Sequence, residues 1–213
     1  MSIAQVTLVD TDNILVRAWQ YEFGAFPAVR LMAGSIFCVD ANTLISPANS
    51  FGVMDGGLDG KLRDFFGSGL EKRVRERIRS QFHGELPVGL ATTLETGHSQ
   101  YPYLICAPTM RFPMEVPSTV NAYLAMKAIL NEATAYPEQL SIAVPGLCSL
   151  SGRMPPTSVA RQMRIAYERV ILGLHAYTHW REERDFERYI RGESPHPPED
   201  LETRPVWRST NAA

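Results

Sequence analysis

The sequence lacks the cysteine pattern of a disulfide framework or of a zinc knuckle. Its three cysteines, Cys38, Cys106 and Cys148, lie far apart, and each stands in an apolar stretch. No two of them form a CxxC pair, which excludes the common cysteine-based metal motifs. We therefore expect three buried, reduced thiols and no metal site.

Long hydrophobic runs are missing as well. No apolar stretch approaches the roughly 20 residues that a membrane-spanning helix needs. The first residues, MSIAQVTLVDTD, lack the basic segment and apolar core of a secretory signal. We expect a soluble, cytoplasmic protein with no membrane partner.

The chain also lacks an excess of basic residues. It has 21 Lys and Arg against 23 Asp and Glu, a formal net charge of -2. Such a balance provides no global positive field for a nucleic-acid backbone, so nucleic acid is not the expected partner. The basic run EKRVRERIRS, residues 71–80, includes Glu71 and Glu76 and an apolar face, which favours a solvated helix.

Strand-like and helical patterns alternate along the 213 residues. The six strand candidates are QVTLV, VRLMAG, NTLIS, VGLATTLE, YLICAPTM and SIAVPGL. The helical patterns are Leu62 to Phe82, interrupted near Gly67-Ser68-Gly69; Tyr123 to Ala133; and Val159 to Tyr177. This order predicts one three-layer α/β/α domain with a largely parallel or mixed central sheet. Ligands of such sheets bind at the carboxyl ends of the strands.

Two loops at strand ends carry the chemistry expected of an anion site. Residues 44–66 read LISPANSFGVMDGGLDGKLRDFF, in which a strand leads through several glycines into a helix. Glycines permit backbone N–H groups to converge on an anion at a helix start. A second strand-to-helix loop, PGLCSLSGRMPP, follows at residues 145–156. Their combination predicts a diphosphate held between two loops, whereas each loop alone is also compatible with ordinary turn chemistry.

These segments resemble the macro-domain family, particularly its bacterial and phage members. ANTLISPANSFGVMDGGLDG is similar to the family's Asn-Ala-Ala-Asn-Ser segment followed by a Gly-Gly-Gly-Val-Asp-Gly loop. AGSI, residues 33–36, stands in the place of its Gly-Asp-Ile segment. The resemblance covers roughly residues 29–175, and we expect a macro domain over residues 1–192. Residues 193–213 are rich in Pro and charge and show no helical or strand period, so we expect a tail there.

The resemblance implies an ADP-ribose site, residue by residue. Asn49 matches the Asn that holds the distal ribose, and Asp59 matches the Asp that orients water in hydrolytic members. The implied ligand-binding positions are Ser35, Ile36, Ser46, Gly56, Gly57, Leu58, Ser149, Leu150, Ser151 and Gly152. Arg153 stands where a small residue is usual. Its guanidinium suits a phosphate contact, and a surface position in contact with water alone is the equal alternative. The implied partner is ADP-ribose or a related nucleotide, free or carried on a protein, with no cofactor.

Leu150 departs from the family pattern in the same way as Arg153, since a small residue is usual there, and three further positions depart from it. Ser46 replaces the first Asn of the signature, and Asp55 replaces a Gly, which places a carboxylate beside a phosphate site unless its side chain points away. Ser35 stands where the family commonly has the Asp that contacts the adenine amino group. Adenine recognition is therefore either weaker in this chain or supplied by another residue.

Asp59 and Asn49 also have simpler interpretations. A carboxylate close to an anomeric carbon positions water and stabilises the cation-like sugar during hydrolysis. An Asp at a helix start equally stabilises the helix, and an Asn in a turn accepts positive φ. Three functions therefore remain open: an ADP-ribosyl hydrolase of glycohydrolase or O-acyl-ADP-ribose deacylase type, a non-catalytic binder or sensor, and a degenerate fold that acts as an interaction module.

Two further patterns carry less weight. His175 and His179 are four residues apart on a candidate helix, a metal-ligand spacing, but the Glu of an HExxH motif is absent. Cys148 lies in the second loop and has a nucleophilic side chain, but the sequence assigns it no basic partner.

Overall fold

The computed structural model describes residues 3–174, 179–194 and 196. Its centre is a six-stranded sheet in the order β2-β1-β6-β3-β5-β4. The strands are β1 (Gln5–Asp10), β2 (Val29–Ala33), β3 (Thr43–Ser46), β4 (Thr92–Glu95), β5 (Tyr103–Cys106) and β6 (Ser141–Val144). All neighbours pair in parallel except the edge strand β4, which runs antiparallel to β5. The predicted mixed sheet and all six predicted strands are confirmed.

Helices cover both faces of this sheet, because successive strand residues point to opposite sides. Leu8 and Ile45 belong to the apolar cluster under one helix layer, while Val9 and Leu44 belong to the cluster under the other. The helices are α1 (Asn13–Phe23), α2 (Gly57–Phe66), α3 (Gly69–Phe82), α4 (Asn121–Ala135), α5 (Pro156–Tyr167) and α6 (Trp180–Ile190). The predicted three-layer α/β/α fold is confirmed, including the break between α2 and α3.

Two helices were missing from the sequence prediction. Helix α1 buries Leu15, Trp19 and Phe23 and begins where the Asp12 side chain accepts a hydrogen bond from the Ile14 N–H. That spacing and cap are visible in the sequence. Helix α6 is mostly polar, with only Phe186 and Ile190 buried, and its apolar residues lie on one face. This amphipathic pattern is also visible in the sequence.

Several local expectations need correction. Cys38 is exposed, because it ends a short 3-10 turn in which Ile36 and Val39 face the core. His179 has extended backbone and caps α6 by accepting from the Arg181 N–H. It is therefore not on a helix with His175, which lies outside the described residues.

The structure bears differently on the prediction of no membrane-spanning helix and on the predicted C-terminal tail. Within the described ranges, no helix is both long and apolar enough to cross a bilayer. The predicted tail over 193–213 lies, apart from residues 193, 194 and 196, outside the described part of the chain. The division into a domain over 1–192 and a tail stays a prediction.

Candidate functional site

A cleft of about 400 Å³ opens at the carboxyl ends of the parallel strands. The loops after the adjacent strands β3 and β6 form its centre. On one side it reaches the ends of β1 and β2, here called the β1–β2 end; on the other it reaches the loop after β5, here called the β3–β5 end. Most of the predicted site residues line it: Ser35, Ile36, Asn49, Gly56, Gly57, Leu58, Asp59, Ser149, Leu150, Ser151 and Gly152. The tertiary structure thus brings together segments that are more than 100 residues apart.

Asn49 holds the first loop in shape. Its side-chain oxygen accepts the N–H groups of Phe51 and Val53 at 3.1 and 3.3 Å, and its Nδ2 donates to the Val53 carbonyl at 2.8 Å. The backbone of Asn49 also bridges to Met110. Asn49 therefore acts as a turn residue, without a positive φ. Its Nδ2 carries a second hydrogen that the bond to Val53 does not use.

The start of α2 provides backbone donors to the cleft. Its N-cap is Gly56, which has no side chain to accept the N–H groups of the first turn. Gly57 follows with φ 58°, a left-handed conformation that favours glycine. Uncapped first-turn N–H groups and the helix dipole favour an anion at this point. The position of Gly56 and Gly57 on the cleft wall therefore fits the phosphate cradle inferred from the sequence.

Asp59, in the first turn of α2, is hydrogen-bonded to strand β3. The hydroxyl of Ser46 donates to Asp59 Oδ1 at 2.6 Å. Ser46 is fully buried and is not among the residues that line the cleft. The structure thus gives Ser46 a contact with Asp59 and not the direct ligand contact that the resemblance implied. Asp59 thus stands in the first turn of α2 and also contacts strand β3.

Burial raises the pKa of Asp59 to about 6. The hydrogen bond from Ser46 lowers the pKa, and the charge of Asp55 raises it. Desolvation dominates because the carboxylate loses more hydration than a single hydroxyl returns. Asp55 is exposed and lines the cleft, and its charge acts on Asp59 in the same direction as burial. A carboxyl group with this pKa exchanges protons close to neutral pH.

Cys106 lies behind this pair, and sequence reasoning did not connect it to the site. It is opposite Ser46 in the register of β5 on β3 and is fully buried. Burial, and then the charge of Asp59, raise the pKa of its thiol to about 12, while a hydrogen bond with Ser46 lowers it. The sequence does not show that Cys106, Ser46 and Asp59 are neighbours, because the pairing of Cys106 with Ser46 depends on the register of two strands.

The second loop is tightly folded. Cys148 has φ 63° and Arg153 has φ 49°, both unusual for side-chain-bearing residues. A methyl group on Gly152 would lie 2.5 Å from the Cys148 carbonyl oxygen, so only glycine fits there. Leu150 is 72% exposed on the cleft rim. The loop is thus compact at its base and presents an apolar side chain at its tip.

The structure gives partners for two further residues of this loop, and Cys148 is buried as expected. Arg153 pairs with Glu115 at 2.8 Å on the surface and is not among the residues that line the cleft. Burial raises the pKa of the Cys148 thiol to about 12, and its Sγ faces the Thr109 carbonyl at 3.8 Å. A protonated, buried thiol is a poor nucleophile.

The β1–β2 end contains residues that sequence reasoning missed. Asp10, the last residue of β1, lines the cleft beside Ser35 and Ile36. Ser35 Oγ accepts the Phe37 N–H at 3.3 Å and so caps the short 3-10 turn. An acidic residue directly after a buried strand was the available signal for Asp10.

The charges on the cleft wall do not by themselves favour an anion. Among the described residues, its charged side chains are Asp10, Asp55, Asp59 and Lys61. Lys61 follows Asp59 on α2 and was not predicted. A phosphate at this site would depend mainly on backbone N–H groups, with Lys61 as the nearby cation.

A larger cavity of about 820 Å³ lies at the sheet edge, away from these loops. Its wall carries both signs of charge, including Arg73 and Glu132. Glu132 accepts the Thr93 N–H at 2.9 Å, and Arg73 donates to the Glu95 carbonyl at 3.1 Å. These side chains cover backbone groups of the edge strand β4, a protection against edge-to-edge pairing. The smaller cleft is therefore the better candidate site.

Solved structures share this fold at low sequence identity. The macrodomain of Mycobacterium tuberculosis DarG is 19% identical, with a TM-score of 0.52 over 64% of this chain and 87% of that chain. The Oceanobacillus iheyensis macrodomain with ADP is 18% identical, with a TM-score of 0.51 over 62% of this chain and 72% of that chain. At such identities the likeness concerns the fold.

Sequence relatives extend across bacteria and archaea. An uncharacterized protein of Aquifex aeolicus is 30% identical over 135 residues, which are 63% of this chain and 78% of that protein. One of Aeropyrum pernix is 32% identical over 134 residues, 62% of this chain and 67% of that protein. The family model for the Macro domain matches residues 45–163, which include both loops of the cleft. The chain belongs to the macro domain family.

Proposed function

We propose that the cleft binds ADP-ribose or a closely related nucleotide, with the diphosphate between the loops after β3 and β6. The observation that carries the proposal is the uncapped start of α2 on the cleft wall, where Gly56 and Gly57 leave backbone N–H groups available to an anion. The Oceanobacillus iheyensis macrodomain that shares the fold holds ADP, which supports a nucleotide diphosphate.

The ligand's orientation follows from the arrangement of the cleft. Asp59 and Asn49 belong to the β3–β5 end, where the family resemblance places the distal ribose. The base then lies at the β1–β2 end, beside Ile36. In this pose Ser149, Ser151 and Gly152 of the second loop face the diphosphate from the side opposite α2.

Titration calorimetry with ADP-ribose tests the binding proposal. We expect saturable binding of ADP-ribose, with AMP and ribose binding at least tenfold more weakly because each occupies one part of the cleft. Asn49→Ala should weaken binding through the loop that its side chain holds together. Absence of binding at millimolar ADP-ribose would contradict the proposal.

A hydrolytic role is the second part of the proposal, favoured by the environment of Asp59. Its Oδ1 is engaged by Ser46, so Oδ2 is the oxygen available to orient a water molecule. With a pKa of about 6, the carboxylate is suited to accept a proton from that water near neutral pH. The substrate class is an ADP-ribosyl group linked to a protein, a nucleic acid or a small acyl group.

Single-turnover assays on an ADP-ribosylated substrate separate hydrolysis from binding. We expect Asp59→Asn to reduce the hydrolysis rate by roughly 10²- to 10⁴-fold. The matched control is Asp64→Asn, an exposed carboxylate on the same helix that pairs with Arg63. Unchanged turnover in Asp59→Asn would remove the catalytic assignment, whereas tight binding without turnover in the wild type would favour a sensor.

A further inference from the structure

One carboxylate is fixed in place at the β1–β2 end of the cleft. Asp10 is half-buried, and its Oδ1 accepts the Asp12 N–H at 2.9 Å while its Oδ2 accepts the Gly146 N–H at 3.0 Å. These two donors come from different loops, so they determine the orientation of the carboxylate plane. A carboxylate has about four acceptor positions, which leaves each oxygen one for a ligand.

The surroundings of Asp10 suit a heterocyclic base. Ile36 is buried and Phe37 is half-buried, and both line the same end of the cleft. The hydroxyl of Ser35 is already engaged as acceptor by the Phe37 N–H. An apolar surface with one fixed acceptor is a common arrangement for a planar ligand that carries a hydrogen-bond donor.

The order of the strands determines which part of the ligand meets Asp10. Strand β6 separates β1 from β3. If the diphosphate lies between the loops after β6 and β3, the β1–β2 end is next to it on the side away from Asp59. A nucleotide that extends across the cleft with its distal ribose beside Asp59, as proposed above, therefore places its base beside Asp10.

We propose that Asp10 determines base specificity by accepting a hydrogen bond from the exocyclic amino group of adenine. The inference rests on the proposed function, because it concerns the same cleft. It also identifies the residue that takes over a contact which Ser35, with its short and engaged side chain, does not provide. A base with a carbonyl in place of the amino group would set acceptor against acceptor, leaving both groups without a proton.

The experiment is calorimetry on the full chain with three ligands. They are ADP-ribose, inosine diphosphate ribose, in which hypoxanthine replaces adenine, and the analogue in which unsubstituted purine replaces adenine. We expect the wild type to bind ADP-ribose at least about tenfold more tightly than either analogue. Asp10→Asn should bring ADP-ribose and inosine diphosphate ribose within about threefold, because an amide offers both a donor and an acceptor.

The matched control is Asp12→Asn. This substitution removes the same charge two residues away from Asp10, at a position that does not line the cleft. Asparagine caps helices about as well as aspartate, so α1 should keep its N-cap. We expect this variant to keep the wild-type preference between the two bases.

Three results would overturn the inference. Equal affinity of the wild type for all three ligands would do so without any variant, even if Asp10→Asn failed to fold. An equal loss for both bases in Asp10→Asn would show a purely structural role. Failure of the wild type to bind any of them would reject the proposed function itself, which is a distinguishable outcome.

Discussion

The two ends of the cleft hold their carboxylates in different ways. Asp10 is fixed by two backbone N–H groups at the edge of the cleft, whereas Asp59 has a single side-chain partner, Ser46, in a desolvated corner. Backbone donors fix geometry, which suits recognition. Desolvation with one hydroxyl raises the pKa of Asp59 to about 6, which suits proton transfer. The same type of side chain is thus suited to two different tasks, according to what surrounds it.

We expect the largest effect from a substitution in the second loop, which lies between the two ends of the cleft. In Gly152→Ala the new methyl group would meet the Cys148 carbonyl oxygen at 2.5 Å and the Cys148 Cα at 2.9 Å, both backbone atoms. We expect a loss of roughly 1 to 3 kcal/mol in the free energy of unfolding, measured in urea. We also expect at least a tenfold loss of ADP-ribose affinity, because the second loop would no longer fit the diphosphate.

Gly69→Ala is the control for that change. A methyl group at Gly69, the first residue of α3, meets no atom within 4 Å. Its stability should equal that of the wild type or exceed it by up to about 1 kcal/mol. Wild-type affinity in Gly152→Ala would exclude the second loop from the binding site.

The second effect concerns Asp59 at the β3–β5 end and is a change of protein stability with pH. The folded-state pKa of Asp59, about 6, is above its ordinary value of 3.8, so the folded chain binds this proton more tightly than the unfolded chain. The contribution of Asp59 to stability therefore falls as the pH rises from about 4 to about 6. Above that range its ionisation costs roughly 2 to 3 kcal/mol.

Asp59→Asn removes the free-energy cost of ionising this buried carboxyl group. We expect the variant to be more stable than the wild type above pH 7 by about that amount, with the difference vanishing below pH 4, as measured by denaturant unfolding across pH. Asp64→Asn, on the exposed side of α2, should follow the wild-type pH dependence. A stability difference for Asp59→Asn that stays constant with pH would contradict the desolvated state of Asp59.

We expect a smaller effect on the pKa of Asp59 when the hydroxyl of Ser46 is removed. Its hydrogen bond lowers the pKa of Asp59, so Ser46→Ala should raise that pKa further. Carboxyl titration by NMR measures the shift directly. Ser50→Ala is the control, because the buried hydroxyl of Ser50 has no hydrogen-bond partner among the described residues. Equal titration of Asp59 in wild type and Ser46→Ala would mean that the hydrogen bond is not made in solution.

The smallest effect compares solvent access at the two ends. Cys38 is exposed and follows Phe37 at the β1–β2 end, whereas Cys106 is buried behind Asp59. A maleimide at neutral pH should label Cys38 rapidly in the native protein, while Cys106 and Cys148 react only after denaturation, since burial raises the pKa of both thiols. Mass spectrometry of the labelled peptides gives the readout. Rapid native labelling of Cys106 would show that the corner around Asp59 is open to solvent.

Much of the architecture was predictable from local patterns. Alternating apolar runs identified the six strands, and the Gly67-Ser68-Gly69 interruption located the boundary between α2 and α3. The spacing of glycines identified the first loop as a candidate anion site. These features depend on residues close in the sequence, so periodicity and turn chemistry are sufficient to identify them.

The candidate site was predicted less completely. Arg153 and Ser46 stand in the right segments, but Arg153 pairs with Glu115 outside the cleft and Ser46 lies beneath it. Asp10 and Lys61 were missed, although both line the cleft. A position in a motif identifies the loop, whereas the direction of a side chain depends on its partners in space.

The amino-acid pattern alone determined the α/β class, the number of strands and the two glycine-bearing loops, because these follow from hydrophobic periodicity and backbone freedom. Only the tertiary structure decided what surrounds each carboxylate. Asp59 meets Ser46 because α2 packs against β3, and Cys106 lies opposite Ser46 because β5 pairs with β3 in one register. Asp10 meets Gly146 because β6 lies beside β1. Desolvation and hydrogen bonding act between groups that are distant in the chain, so the chemistry of both ends of the cleft depends on strand order.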